Sequence, residues 1–199
     1  MKVRMGVDLD GCLADFNYGY INLSNSMLDQ KLPPSGPAYP NTWHYSRAAG
    51  IPMEDETKVW DRIKSSINFW RDLPAHEGTR RFLEDLREQW NWEVYFITNR
   101  MGNAPKRQTE QWLHSFGYDH PTVLISVEGV KGKLCHALDL THYIDDKPEN
   151  IRDVLNDSPI TKPVMLRKPW NRGVNLSVPT IEVMEEYITI VQGDEVKVG

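Results

Sequence analysis

The stretch Val7-Asp8-Leu9-Asp10-Gly11-Cys12-Leu13-Ala14-Asp15-Phe16 decides how the rest of this 199-residue chain is read. It closes a short apolar run, residues 3–8, of the kind that forms a strand buried on both faces. Alternation along an extended backbone puts the side chains of Asp8 and Asp10 on the same side, and Gly11 then permits a sharp bend. Two carboxylates held close together at a strand end repel each other unless a cation or a proton sits between them. Hard oxygen donors of this kind suit Mg2+. The competing reading has Asp8 capping a helix and Asp10 in a turn, since so short a motif also arises by accident.

Outward from this stretch, residues 93–98, 122–126, 141–145 and 163–167 form further apolar runs that read as buried strands. Helical patterns lie between them. Residues 77–90 place Phe82, Leu83, Leu86 and Trp90 on one face, and residues 104–116 start after a capping Asn103 and stop at Gly117. Residues 131–138 and 148–155 are shorter, and 181–191 aligns Val183, Met184, Tyr187 and Ile188. Strands alternating with helices predict an α/β fold: a Rossmann-like parallel sheet of about five strands with helices on both faces. The first two runs stand about 80 residues apart, far more than a parallel crossover needs. Residues 17–73 are therefore expected to form an inserted helical cap, with residues 1–16 and 74–199 as the core. The insertion holds a Pro-rich stretch at 32–40 and the large rings Trp43, Trp60, Phe69 and Trp70, which a small helical unit needs to bury enough area. Trp43 is also a candidate substrate contact.

A second acidic pair follows an apolar run in Tyr143-Ile144-Asp145-Asp146-Lys147-Pro148. Ligands of an open parallel sheet bind beyond the carboxyl ends of its strands, and with the first strand central this one lies beside it, so the acids of both pairs converge. Helix capping by Asp146 is the plainer alternative, but it leaves two acids at one strand end unexplained. The run at 93–98 ends in Thr98-Asn99-Arg100, a hydroxyl, an amide and a guanidinium suited to phosphate oxygens. Lys131 and Lys133 open a helix from which a lysine reaches a carboxylate or a phosphate, although either alone reads as a surface residue. The basic run Arg167-Lys168-Pro169-Trp170-Asn171-Arg172-Gly173 follows the last strand and reads as a solvated loop or as a further contact for phosphate or base.

Composition narrows the classes. Lys and Arg number 23 against 28 Asp and Glu, a net charge of −5, so an extended nucleic-acid interface is not expected. Mean hydropathy is −0.55, and no apolar run approaches the roughly 20 residues that span a bilayer. The opening residues lack an apolar leader with a cleavage site, so secretion is not expected. Two cysteines, Cys12 and Cys135, without a CxxC pattern, disfavour a disulfide framework and suit a reducing cytoplasm.

Taken in order, these elements resemble the haloacid dehalogenase-like (HAD) phosphatase superfamily. Its strand followed by DxDG is matched by Val7-Asp8-Leu9-Asp10-Gly11, its second strand end by Ile97-Thr98, its helix-start lysine by Lys131 (with Lys133 as alternative), and its acidic pair by Ile144-Asp145-Asp146. The resemblance implies that Asp8 is a nucleophile toward phosphorus and Asp10 a general acid and base. It implies Mg2+ held by Asp8, the backbone carbonyl of Asp10 and Asp146, with Asp145 behind, or with those last two exchanged. Thr98 and Lys131 would hold the phosphoryl group, and Asn99 is a further phosphate-binding candidate by its amide rather than by the resemblance.

The DxDG stretch, the insertion directly after it and the Ile144-Asp145-Asp146-Lys147-Pro148 segment are similar to the 5′(3′)-deoxyribonucleotidase branch. There the insertion is a cap whose aromatic residues, Phe16 by position, stack on a nucleobase. Arg100, with Asn99, departs from the branch's usual second motif and is a candidate substrate contact. The implied activity is a Mg2+-dependent phosphomonoesterase, foremost a 5′-nucleotidase on (deoxy)ribonucleoside monophosphates, in the cytoplasm. The alternatives are another small phosphate ester, such as a sugar phosphate or a nucleic-acid phosphate end, or an idle binding protein of the same fold. Dehalogenase chemistry has no use for Asp10 or a metal. The expected partner is a small phosphorylated substrate, and a dimer is compatible with the sequence.

Overall fold

Strand β1 (Arg4–Val7) is the middle of a parallel sheet because it is apolar throughout its buried length and pairs on both sides. In the computed structural model, which describes residues 2–29, 31–32 and 42–198, Val7 stands beside Phe96 of β2 (Glu93–Thr98) and Ile144 of β4 (His142–Asp145). Strand β3 (Thr122–Ile125) flanks β2, and β5 (Lys162–Leu166) and β6 (Thr180–Ile181) extend the other side, giving the order β3-β2-β1-β4-β5-β6. All pairings are parallel, so the carboxyl ends of β1, β2 and β4 open on one edge.

Helices α4 (Thr79–Glu88), α5 (Pro105–Ser115), α6 (Lys131–Ala137), α7 (Pro148–Asp157) and α8 (Glu185–Val198) cover the sheet. Phe82, Leu83 and Leu86 of α4, Trp112 and Leu113 of α5 and Tyr187 and Val191 of α8 are buried with Met5 and Val7. Each such side chain contributes on the order of 2 kcal/mol through the apolar surface it removes from water.

Three details differ from the sequence reading. The sheet has a sixth strand, β6, only two residues long, too short to leave a periodic trace. The chain at 180–181 is therefore extended rather than helical; α8 begins at Glu185, and Val183 is exposed. Trp90 lies past the end of α4 and is 90% exposed. Asn103 is not the cap of α5. Ala104 takes that place in a left-handed conformation, because Asn103 is drawn to the insertion, its backbone N–H donating to the Lys64 carbonyl at 2.8 Å.

Between β1 and α4 lie α1 (Phe16–Met27), α2 (Tyr45–Ala48) and α3 (Met53–Ser65). The Asp15 carboxylate caps α1 by accepting from the Tyr18 N–H at 3.0 Å. Tyr20 and Ile21 of α1 and Val59 and Ile63 of α3 are buried together. Apart from Leu32, the Pro-rich stretch lies outside the described residues.

The segment is fastened to the sheet at two places. At its root, Ala14 pairs antiparallel with Ala75, Asp15 N–H donates to the Pro74 carbonyl at 2.8 Å, and His76 N–H donates to the Leu13 carbonyl at 2.8 Å. At its far end, the Trp70 indole donates to the Met101 carbonyl at 2.9 Å, and the Lys64 backbone packs on Gly102. A Cβ there would lie 2.4 Å from Lys64. Among the described residues no helix is long and apolar enough to cross a membrane. Cys12 and Cys135 are both buried and unpaired.

Candidate active site

The bend that ends β1 is built around one carbonyl. Leu9 C=O accepts from Leu13 and Ala14 N–H, both at 2.8 Å, and Asp8 N–H donates to Ile144 at 3.1 Å. Gly11 sits at φ +93°, where a Cβ would stand 2.4 Å from Oδ2 of Asp146. A side chain is thus excluded both by backbone strain and by the neighbouring acid.

Lys131, the first residue of α6, is buried and donates to Oδ1 of Asp8 and, at 2.7 Å, to Oδ2 of Asp145. Burial alone would lower the Lys131 pKa, but Asp145 and Asp8 outweigh it and hold the ammonium above its ordinary value. Burial raises the Asp8 carboxyl, Lys131 opposes the rise, and Asp145, Asp146 and Asp10 add to it. Lys133, two residues on, is exposed.

The neighbours Asp145 and Asp146 differ sharply in their surroundings. Asp145 is saturated. Besides Lys131 it accepts from Tyr143 Oη at 2.5 Å, from Lys147 N–H at 2.8 Å and from Asn150 Nδ2 at 3.0 and 2.9 Å. The Lys147 contact also means that Asp145, not Asp146, receives an N–H at the entry to α7. Asp146 accepts from the Trp170 indole at 2.8 Å on Oδ2, while its buried Oδ1 has no hydrogen-bond partner.

An oxygen of Asp8, an oxygen of Asp146 and Sγ of Cys12 lie within 4.8 Å of one another. Burial, with Asp146 next, keeps the Cys12 thiol protonated by raising its pKa, which leaves the oxygens as the donors. The Asp146 carboxyl is pushed up to about 7, by burial first and then by Asp145. An unpartnered buried oxygen, an acid short of positive charge and a second carboxylate beside it fit a hard divalent cation.

At the end of β2, Thr98 Oγ1 donates to Oδ2 of Asp10 at 3.1 Å. Arg100, which the sequence offered as a substrate contact, lines the cavity but is engaged by Asp10. Its side chain has no exposed surface and donates to Asp10 through Nε at 3.0 Å and through a terminal nitrogen at 2.8 Å, with Thr109 Oγ1 at 3.0 Å on the other side. The guanidinium also lies 5.2 Å from the Trp70 ring centre. The burial follows from α5, which brings Thr109 over the strand end, a contact that no local pattern announces. Asn99 Oδ1 accepts from Ser126 Oγ.

These groups floor a cavity of about 520 Å³. Asp8, Asp10, Thr98, Asn99 and Lys131 line one side, and Phe16, Tyr20, Trp43, Trp60, Trp70 and Glu56 the other. Phe16 is the hub of the rings, near-parallel to Trp60 (5.8 Å, 22°) and to Trp70 (5.8 Å, 19°), and is only 9% exposed.

The sequence reading missed Trp170, and with it Tyr143 and Asn150 as the donors around Asp145. Trp170 lies in the basic run after β5. That run is not a free cationic loop, because Arg167 is spent on the Asn171 carbonyl at 3.0 Å. Its place beyond a strand end was the available signal.

Residues 2–190 match the family model described as 5′ nucleotidase, deoxy (pyrimidine), cytosolic type C protein. The chain belongs to this 5′-nucleotidase family. No curated protein matches it. Solved structures share the fold of this nucleotidase at low identity. A haloacid dehalogenase-like hydrolase from Burkholderia xenovorans LB400 is 12% identical, with 95% of this chain and 96% of that chain covered and a TM-score of 0.60. A HAD hydrolase from Bacillus subtilis, solved bound to magnesium, is also 12% identical, with 96% and 99% covered and a TM-score of 0.62. One from Deinococcus radiodurans R1, with bound phosphate and sodium, is 12% identical, with 96% and 95% covered and a TM-score of 0.59. Its family makes the chain a hydrolase of the nucleotidase kind, and its fold is the one these HAD hydrolases share.

Proposed function

We propose that the protein is a Mg2+-dependent phosphomonoesterase that hydrolyses (deoxy)ribonucleoside monophosphates in the cytoplasm through an aspartyl-phosphate on Asp8. The observation that carries this reading is the gathering of Asp8, Asp10 and Lys131 at one cavity, with a carboxylate oxygen of Asp146 within 4.8 Å of one of Asp8. Mg2+, when bound by Asp8, the Asp10 carbonyl and Asp146, supplies positive charge that lets a carboxylate approach a phosphate dianion.

Lys131 neutralises a phosphoryl oxygen and orients Asp8. An Asp8 oxygen attacks phosphorus, the bond to the ester oxygen breaks, and Asp10 gives that oxygen its proton. Asp10 then takes a proton from water, which attacks the same phosphorus and releases phosphate from Asp8. Thr98 donates to the phosphoryl group after leaving Asp10, and Arg100 keeps the Asp10 carboxylate at the cavity floor. Asn99 adds an amide at the phosphate end, and Asp145 steadies Lys131. Residues 17–73 act as a cap over the core of residues 1–16 and 74–199. The ring set supports stacking of a nucleobase between the two, with Phe16 and Trp43 among its contacts.

Asp8→Asn, assayed with Mg2+ on deoxyribonucleoside monophosphates and on p-nitrophenyl phosphate, is expected to lose at least about 10³-fold in kcat, as for other removed nucleophiles. Activity near wild type would remove Asp8 from the chemistry.

A further inference from the structure

Asp146 is held by a residue that the chemistry of the strand ends does not require. The chain after β5 makes a single 3₁₀ turn, Pro169–Asn171. The turn is fixed from inside, since Lys168 N–H donates to Asn171 Oδ1 at 3.0 Å. Asn171 is fully buried, and its amide nitrogen donates to the Asp146 carbonyl at 2.7 Å and to the Leu166 carbonyl at 2.8 Å. Consecutive residues thus grip one acid: Asn171 holds its main chain, and the Trp170 indole holds Oδ2 of its side chain at 2.8 Å.

What remains of the acid is Oδ1, buried and without a hydrogen-bond partner. An indole N–H donates and never accepts, and it carries no charge that changes with pH. It therefore fixes the carboxylate without competing for a cation. The opposite side of the ring system reaches the insertion. Trp43 packs on Trp170 with ring centres 5.0 Å apart at 41°, and Lys147 Nζ stands 4.8 Å from the Trp43 ring centre.

We infer that Trp170 is a positioning residue of the metal site. Its indole N–H fixes which oxygen of Asp146 meets the cation, and its contact with Trp43 ties that ligand to the aromatic side of the cavity. This rests on the reading of Asp146 as a metal ligand. Donors behind a ligating group commonly govern metal affinity because they set its orientation and basicity.

The test uses Mg2+ alone and the full chain. Trp170→Phe keeps a ring against Trp43 and deletes the donor. Calorimetry is expected to give a Mg2+ dissociation constant about 10- to 100-fold weaker than wild type, with the thermal midpoint in EDTA unchanged. In wild type labelled at tryptophan, the assigned Trp170 indole signal, one of seven, is expected to shift on Mg2+ addition with the calorimetric midpoint. That second measurement carries the test if the variant does not fold. An affinity within threefold of wild type, or an indole signal that Mg2+ leaves in place, overturns the inference. Asp146→Asn separates the two readings. If it binds Mg2+ as wild type does, the ligand assignment itself fails. If it abolishes binding while Trp170→Phe does not, only the role of Trp170 fails.

Discussion

At the carboxyl ends of β1, β2 and β4 the cavity wall is charged. Asp8, Asp10 and Asp145 each have a partner drawn from elsewhere in the chain, Lys131 or Arg100. The facing wall is aromatic, with Phe16, Trp43, Trp60 and Trp70, and Glu56 is its carboxylate among the described residues. The charged wall is held by directional bonds between groups that are costly to strand in a dry interior. The aromatic wall is held by packing, which tolerates replacement at similar volume. The charged groups are thereby pinned, while the aromatic wall is freer to vary.

The sharpest way to break this comparison is to remove one charge from a satisfied group and one from an unsatisfied group. Asp145→Ala leaves Lys131 with Asp8 alone and strands the donors of Tyr143 and Asn150, and is expected to cost about 3–5 kcal/mol in urea unfolding. Asp146→Asn, measured in EDTA, is expected to cost less than about 1 kcal/mol, because it removes a charge whose Oδ1 has no partner. Equal losses would refute the distinction.

The root of the insertion offers a titration. Burial, with Lys168 next, lowers the His76 pKa to about 4. Between about 6.5 and 4 the unfolded chain therefore binds a proton that the native chain refuses. The fold loses stability as pH falls through that window, by at most roughly 3 kcal/mol. Asp146, with its raised carboxyl, acts in the opposite sense. The difference between wild type and His76→Phe isolates the imidazole, since Asp146 is present in both. A difference that stays flat from pH 7 to 4 would show that His76 is not buried as a neutral ring.

On the aromatic wall, Trp60→Ala is expected to lower kcat/KM for nucleoside monophosphates by about 10- to 100-fold, the scale of one lost stacking contact. Turnover of p-nitrophenyl phosphate should change by less than about threefold. A uniform loss on both substrates would assign the ring to folding rather than to recognition. The smallest effect is expected at Lys133, which is exposed two residues beyond the buried Lys131. Lys133→Ala should leave kcat within about twofold, as exposed substitutions commonly do, and a larger fall would move the phosphate-facing lysine.

The charged wall was legible in the sequence where position alone sufficed. Asp8, Asp10, Asp145 and Asp146 stand at strand ends, and the two-residue period and the order of the sheet bring them together. Lys131 was legible as a helix-start lysine beside its rival Lys133, and burial separates the two. Arg100 was legible as a cation at the cavity but not as the partner of Asp10. Only the packing of α5 shows that its guanidinium is enclosed with Asp10 and Thr109. Trp90 was placed inside because it continues the spacing of Leu83 and Leu86, but α4 stops at Glu88 and the ring swings into water. Trp170 was legible only as part of a run beyond a strand end; its bond to Asp146 was not, since the partner lies 24 residues away and a single indole N–H has no periodicity.

The root of the insertion has a consequence of its own. Leu13, Ala14 and Asp15 run out beside Pro74, Ala75 and His76 running back, joined like the two sides of a doorway. A passage whose threshold is already closed does not care what length of chain lies beyond it. The length and content of the chain between the two sides can therefore vary at little cost to the strands behind them.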